Sequence, residues 1–241
     1  MTEQAEPWSP DHLRPTRFEL DWSPYAEGSC LISAGDTRVL CNASVIDDVP
    51  PWREPSGLGW VTAEYAMLPR STHTRRSRER GGEVGGRTKE IQRLIGRSLR
   101  AVTDLRELGP RTVIVDCDVL QADGGTRTAA VTGGCVALHL ACGALVEEGR
   151  LPVNPVVQMV AAVSVGLVDD ALVLDLDYEA DRNAQVDMNV VATASGEIVE
   201  VQGTAEGRSF TRREHDELLE RALDGIATLV DLQEKILSSS S

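Results

Sequence analysis

Asp123-Gly124-Gly125-Thr126-Arg127-Thr128 is a stretch whose residue types can do chemistry on an anion. Adjacent glycines allow left-handed backbone and let a ligand approach the main chain. A helix starting after them leaves backbone N–H groups unpaired and pointing at one spot. Thr126 or Thr128 can cap such a helix with a hydroxyl. Arg127 would stand in its first turn, where its charge opposes the positive end of the helix dipole. A bound anion offsets that repulsion. An ordinary strand-to-helix turn with a solvated arginine fits the same residues. The stretch is not a Walker loop, because no Gly-Lys-Ser/Thr follows the glycines.

The arrangement occurs a second time upstream, as Gly85-Gly86-Arg87-Thr88. Two arginines at two glycine-rich helix starts can converge on one phosphate, with two sets of backbone donors. Acidic residues supply a second kind of chemistry. Asp181 and Asp187 are spaced so that two carboxylates can share a hard divalent cation, which wants oxygen ligands and keeps several waters. A solvated acidic loop fits that spacing as well, and Asp116 with Asp118 on one strand face is a rival pair. The four histidines (His12, His73, His139, His215) are scattered, and His139 reads as packed in an apolar helix. No Gly-x-Ser-x-Gly is present, so acyl transfer has no support.

The elements that must position these residues follow from periodicity. Thr112 to Cys117 is a β-branched run and reads as a strand entering the second glycine turn. Ala129 to Glu148 is small and apolar, ends at Gly149, and reads as a helix. Thr88 to Leu108 has apolar residues at helical spacing and a Gly109-Pro110 stop. Strands are expected at Arg17–Trp22, Ser29–Ala34, Arg38–Val45 and Trp60–Leu68. Four more are expected at Val156–Val168, Ala171–Asp177, Met188–Ala194 and Ile198–Val201. Gly35-Asp36-Thr37 is a hairpin signal, and Thr211-Arg212-Arg213-Glu214 matches a capping box before a last helix. Strands followed by a helix occur twice. The repeat, in residues 16–108 and 156–236, suggests a single domain over residues 14–237 made of two similar β-rich halves, about 14–150 and 151–237, between loose tails at 1–13 and 238–241.

Charge is segregated. Residues 70–100 hold ten basic residues, nine of them Arg, against three acidic ones. That segment is +7 on a chain whose formal net charge is −14, so the rest carries −21. A basic segment on an acidic body is the electrostatic footprint of a polyanion partner, and Arg suits forked phosphate contacts. The five cysteines are odd in number, sit in apolar segments and lack C-x-x-C spacing. They read as buried hydrophobes in a reducing cytoplasm. No run of about 18 apolar residues exists, so no membrane span is expected, and the N-terminus has no secretory signal.

Longer stretches resemble a known family. Thr62-Ala63-Glu64-Tyr65-Ala66-Met67-Leu68-Pro69-Arg70, Gly86-Arg87-Thr88-Lys89-Glu90-Ile91-Gln92-Arg93, and Asp116-Cys117-Asp118-Val119-Leu120-Gln121-Ala122-Asp123-Gly124-Gly125-Thr126-Arg127-Thr128 are similar to the ribonuclease PH family of phosphorolytic tRNA 3′-exoribonucleases. So are Met159 to Gly166, Asp187-Met188-Asn189-Val190-Val191, and Glu200-Val201-Gln202-Gly203-Thr204-Ala205-Glu206-Gly207. The resemblance spans about residues 14–236. It implies an α/β (α+β) fold of the ribosomal-protein-S5-domain-2-like type and a homo-hexameric ring, a trimer of dimers. It implies phosphate ligands at Arg87, Gly125, Thr126 and Arg127, and Mg²⁺ (or Mn²⁺) on Asp181 and Asp187. Those two acids with Arg87 and Arg127 form the catalytic set. Arg70, Arg75, Arg76, Arg78, Arg93 and Arg97 are expected to hold RNA. The expected reaction uses inorganic phosphate to release nucleoside diphosphates from tRNA precursors, with ribosomal RNA a further candidate and DNA not expected. A hydrolytic two-metal nuclease and an inactive RNA-binding ring subunit are the rival readings.

Overall fold

The computed structural model describes residues 11–79 and 84–239 of the 241. Most of the expected N-terminal tail lies outside the described residues. So do Arg80, Gly81-Gly82 and Glu83 of the basic loop, and residues 240–241.

Five strands form the first sheet: β1 (Thr16–Leu20), β2 (Gly28–Ala34), β3 (Thr37–Ile46), β4 (Trp60–Met67) and β5 (Thr112–Gln121), in the order β1-β2-β3-β5-β4. Gly35 and Asp36 make the expected tight hairpin, with Ala34 paired to Thr37. β4 and β5 are parallel, and parallel neighbours need a crossover. Helix α1 (Gly86–Ala101) lies in that crossover, with Ile91, Leu94, Ile95 and Leu99 buried. The second sheet is antiparallel: β6 (Val160–Val168), β7 (Ala171–Leu174), β8 (Val186–Thr193) and β9 (Ile198–Ala205), in the order β7-β6-β8-β9.

Helix α2 (Thr126–Glu147) packs on β2 and β3 of one sheet and on β6 of the other. It can sit that close because its faces are small: a Cβ at Gly133 would stand 2.7 Å from Ile32 Cγ2. By length and composition α2 alone among the described helices could cross a membrane, against the expectation of no such segment. Its apolar window is 72% buried inside the fold, which makes it a core helix. Helix α4 (Arg212–Ser238) covers β6 and β8. Gln233, fully buried on α4, donates to Thr132 O of α2 (2.9 Å) and Val160 O of β6 (3.1 Å), tying three elements with one amide. The mixed α/β expectation holds. All five cysteines are free and buried, and burial pushes the Cys30, Cys135 and Cys142 thiols up to about 12.

Several boundaries differ from the sequence reading, and three of the differences have a visible cause. α1 ends at Ala101, not Leu108, because Thr103 pairs with Val156 and Asp104 N–H bonds to Pro155 O (2.8 Å). β5 runs past Cys117 to Gln121, since β3 pairs with it along its whole length. The acidic stretch read as a loop contains helix α3 (Tyr178–Asn183), whose N-cap Asp177 accepts from Ala180 N–H at 2.8 Å.

Candidate active site at two helix starts

Gly124 (φ 73°) and Gly125 (φ 62°) are both left-handed, as the sequence requires of the turn between β5 and α2. Their close approaches are to the protein itself: a Cβ on Gly125 would stand 2.9 Å from Arg14 Nη2. A Cβ on Gly124 would collide with Leu176 O and the Asp177 backbone, so this glycine lets the second half of the chain pack against the turn. The turn is held from several sides. Thr37 Oγ1 donates to Gly124 O (2.6 Å) and accepts from Asp123 N–H (2.9 Å). Arg14 Nη1 donates to Asp123 O (2.6 Å).

The expected threonine cap is absent. Gly125 is the N-cap of α2 with no side-chain bond to the helix. Thr128 Oγ1 donates to Gly125 O (2.8 Å), and the Thr126 hydroxyl pairs with the Tyr65 hydroxyl of β4 (2.8 Å). α1 likewise starts at an uncapped glycine, Gly85, and neither helix has an acidic residue in its first turn. Elsewhere the caps are filled: α3 by Asp177 and α4 by the Thr211/Glu214 capping box. Among the described α-helices, the two starts without a side-chain cap are the two that carry Arg87 and Arg127, with the Glu79 carboxylate standing beside the start of α1.

Both arginines are near enough to Asp181 to act on its carboxyl. Burial and the neighbouring Asp187 carboxylate hold the Asp181 carboxyl above the usual range, while Arg87 and Arg127 pull it down. Burial also raises the Tyr65 phenol, and the same two arginines oppose that shift. Asp187 on β8 faces Thr204 on β9, whose hydroxyl donates to Asp187 Oδ1. No group of three or more His, Cys, Asp and Glu able to hold a metal occurs among the described residues. Two like-charged carboxylates with no nitrogen or sulfur ligand fit a hard cation that keeps most of its waters.

The predicted RNA arginines divide. Arg70, Arg75, Arg76 and Arg78 are exposed on the loop after β4. Arg76 and Arg78 line a cleft with Tyr65, Gly86 and Arg87. The loop turns back through Arg76 N–H to Pro69 O (2.9 Å) and Thr88 Oγ1 to Glu79 (3.0 Å). Arg93 is exposed on α1. Arg97 is exposed too, but its Nε lies 2.8 Å from Glu200. The rival acids Asp116 and Asp118 lie on β5. Burial raises both: Asp116 is raised further by Glu64 and Asp118, while Arg78 lowers Asp118.

Sequence reasoning missed the supporting residues Arg14, Thr37, Tyr65, Asp175, Gln202 and Thr204. Tyr65, Gln202 and Thr204 lie inside the motifs that carry the resemblance, and that was their only signal. Arg14 and Asp175 stand 161 positions apart and had none.

Two uncapped helix starts, each carrying an arginine, and two neighbouring carboxylates on a two-sheet α/β scaffold have the chemistry of a phosphoryl-transfer enzyme. The chain belongs to the 3′ exoribonuclease family: residues 12–142 match its first domain and residues 158–225 its second. It is 58% identical over 226 residues to ribonuclease PH of Moorella thermoacetica, covering 93% of this chain and 90% of that one. It is 53% identical over 232 residues to ribonuclease PH of Bacillus subtilis, covering 95% of each. Its activity is that family's phosphorolytic 3′ exoribonuclease, a transfer of nucleotidyl groups to phosphate. Among solved structures, rice (Oryza sativa) Rrp46 superposes with TM-score 0.77 at 18% identity, over 95% of this chain and 98% of that one. The Archaeoglobus fulgidus exosome with RNA bound to its active site gives 0.77 at 21%, over 94% and 89%. These two show the same fold.

Proposed function

We propose that this chain trims the 3′ ends of tRNA precursors, with inorganic phosphate held between the starts of α1 and α2. The observation that carries this reading is the pair of uncapped glycine starts, with Arg87 and Arg127 both acting on Asp181. Phosphate accepts from the Arg87 and Arg127 guanidiniums and from N–H groups of the Gly125–Thr126–Arg127 turn. The Thr126 hydroxyl donates to an unprotonated phosphate oxygen, which can only accept. The Tyr65–Thr126 bond then runs in one direction, from the phenol to the threonine oxygen.

A phosphate oxygen attacks the last phosphodiester in line. The new P–O–P bond forms as the bond to the 3′ oxygen breaks. The 3′ oxygen takes up the proton that the phosphate gives, and a nucleoside diphosphate leaves. Arg87 and Arg127 neutralise charge on the two reacting phosphoryl groups, so catalysis is mostly positioning and electrostatics. Asp181 and Asp187 would hold Mg²⁺, with Mn²⁺ an alternative; the ion supplies charge stabilisation to the transferred phosphoryl group. The Thr204 hydroxyl fixes Asp187 Oδ1. Arg70, Arg75, Arg76, Arg78, Arg93 and Arg97 hold the RNA backbone, so affinity falls with salt.

A homo-hexameric ring, a trimer of dimers, completes the proposal. Tyr25, Trp52 and Val157 are 98%, 62% and 65% exposed, apolar surface that association would cover. The mass in solution tests the ring. The free, buried cysteines support a cytoplasmic setting. The experiment for the activity is degradation of a 3′-extended tRNA with and without orthophosphate. Nucleoside diphosphates that appear only with phosphate are expected; nucleoside monophosphates formed without it would replace this reading by hydrolysis.

A further inference from the structure

Gln202 stands at the centre of a network that joins both arginine-bearing helices to the second sheet. Its Oε1 accepts from Arg127 Nη1 at 2.8 Å. Its Nε2 donates to Glu90 Oε1 of α1 at 2.9 Å and to Glu200 Oε1 of β9 at 2.8 Å. Glu200 in turn holds Arg97 Nε at 2.8 Å. Glu90 lies three residues beyond Arg87, so the amide registers the start of α1 against the start of α2.

The chemistry of this arrangement is specific. With two carboxylates on one side and a guanidinium on the other, the amide has one satisfiable orientation. Flipped, it would turn its NH₂ to Arg127 and its oxygen to two anions. So Oε1 is fixed toward Arg127 Nη1. Glu90 also reaches that same nitrogen, at 3.4 Å. Nε and Nη2 of Arg127 have no partner among the described residues, and that edge of the fork is the one that grips an oxyanion with two bonds. Gln202 is neutral, so it aims Arg127 without cancelling its charge. It also occupies Glu90 Oε1, and Glu90, 3.4 Å from Arg127 Nη1, reaches no other nitrogen of that arginine.

We infer that Gln202 is a positioning residue that presents the Nε–Nη2 edge of Arg127 to phosphate and holds Glu90 to the Nη1 end of that arginine. The inference rests on the phosphate reading of the site proposed above. Its test compares Gln202→Met, which keeps the shape and loses both bonding ends, with Gln202→Glu, which keeps an acceptor and adds a competing charge. KM for phosphate, KM for RNA, kcat and melting temperature are measured on the intact oligomer. Gln202→Met should raise KM for phosphate about tenfold with KM for RNA within about twofold, and Gln202→Glu should raise it further. In an Arg127→Ala background Gln202→Met should add nothing. An unchanged phosphate KM in both variants, or equal losses for phosphate and RNA with a lowered melting temperature, would overturn the inference. If Arg127→Ala itself leaves the phosphate KM unchanged, the phosphate reading of the site fails instead.

Discussion

Arg14 and Asp175 form a buried, two-point ion pair: Nη2 to Oδ1 at 2.6 Å and Nε to Oδ2 at 3.0 Å. Arg14 N–H adds a third bond to the same carboxylate at 3.0 Å. The guanidinium reaches on to Asp123 O, one residue before the glycine turn. The pair fastens the chain's early segment and the second sheet to the turn that starts α2. Breaking a buried pair on one side strands the other charge. Arg14→Met should lower stability by about 3–5 kcal/mol in urea unfolding. Arg14→Met with Asp175→Asn, which tolerates the left-handed backbone there (φ 57°), should be more stable than Arg14→Met alone; equal stability would mean that the stranded carboxylate is not the cause.

Tyr65→Phe removes the phenol that bonds the Thr126 hydroxyl and changes no charge. The expected stability loss is about 1 kcal/mol, the net worth of one hydrogen bond. Phosphate KM should rise a few-fold while RNA affinity, read by filter binding, stays the same. A rise in RNA dissociation constant equal to that in phosphate KM would remove Thr126 from the phosphate site.

Arg127→Ala should raise the phosphate requirement strongly, by about a hundredfold if two charge-assisted bonds are lost. RNA binding should remain, because the loop arginines and Arg93 are untouched. Phosphate titrations of the single-turnover rate, alongside RNA binding at fixed salt, separate the two roles.

Asp187→Asn should abolish turnover with the fold retained. In the absence of RNA, Mg²⁺ should raise the melting temperature of the parent and not of the variant, since ligand binding to the folded state alone stabilises it. An equal rise in both would take the ion away from Asp187.

Glu214 gives a pH prediction distant from chemistry. Its bond from Arg208 and its place in the capping box lower its carboxyl from an ordinary 4.5 to about 2. A depressed carboxylate adds stability above its unfolded pKa, and that stability is lost as pH falls through the folded value. Glu214→Gln should therefore be less stable than the parent at neutral pH, by an amount that fades between about 4.5 and about 2. A difference that persists undiminished to the bottom of that window would show that packing, not ionisation, sets it.

The sequence by itself determined the strands, the long helices and the glycine turns, because each is written in local spacing of apolar residues, glycines and caps. It also determined Arg87, Arg127, Asp181 and Asp187 as candidates, since each lies in a motif or an acidic cluster. Only the tertiary structure decided where α1 stops, because Thr103 leaves the helix to pair with Val156, a residue of a distant segment. Only it decided that Thr126 bonds Tyr65 rather than capping its own helix. It also decided that the collision forbidden at Gly124 is with Leu176 and Asp177, and not with a ligand. The same holds for Arg14 with Asp175 and for Gln202 among Arg127, Glu90 and Glu200. Such contacts join residues far apart in the chain, and no local periodicity records them; the direction of each polar side chain is fixed by partners that only folding brings within reach.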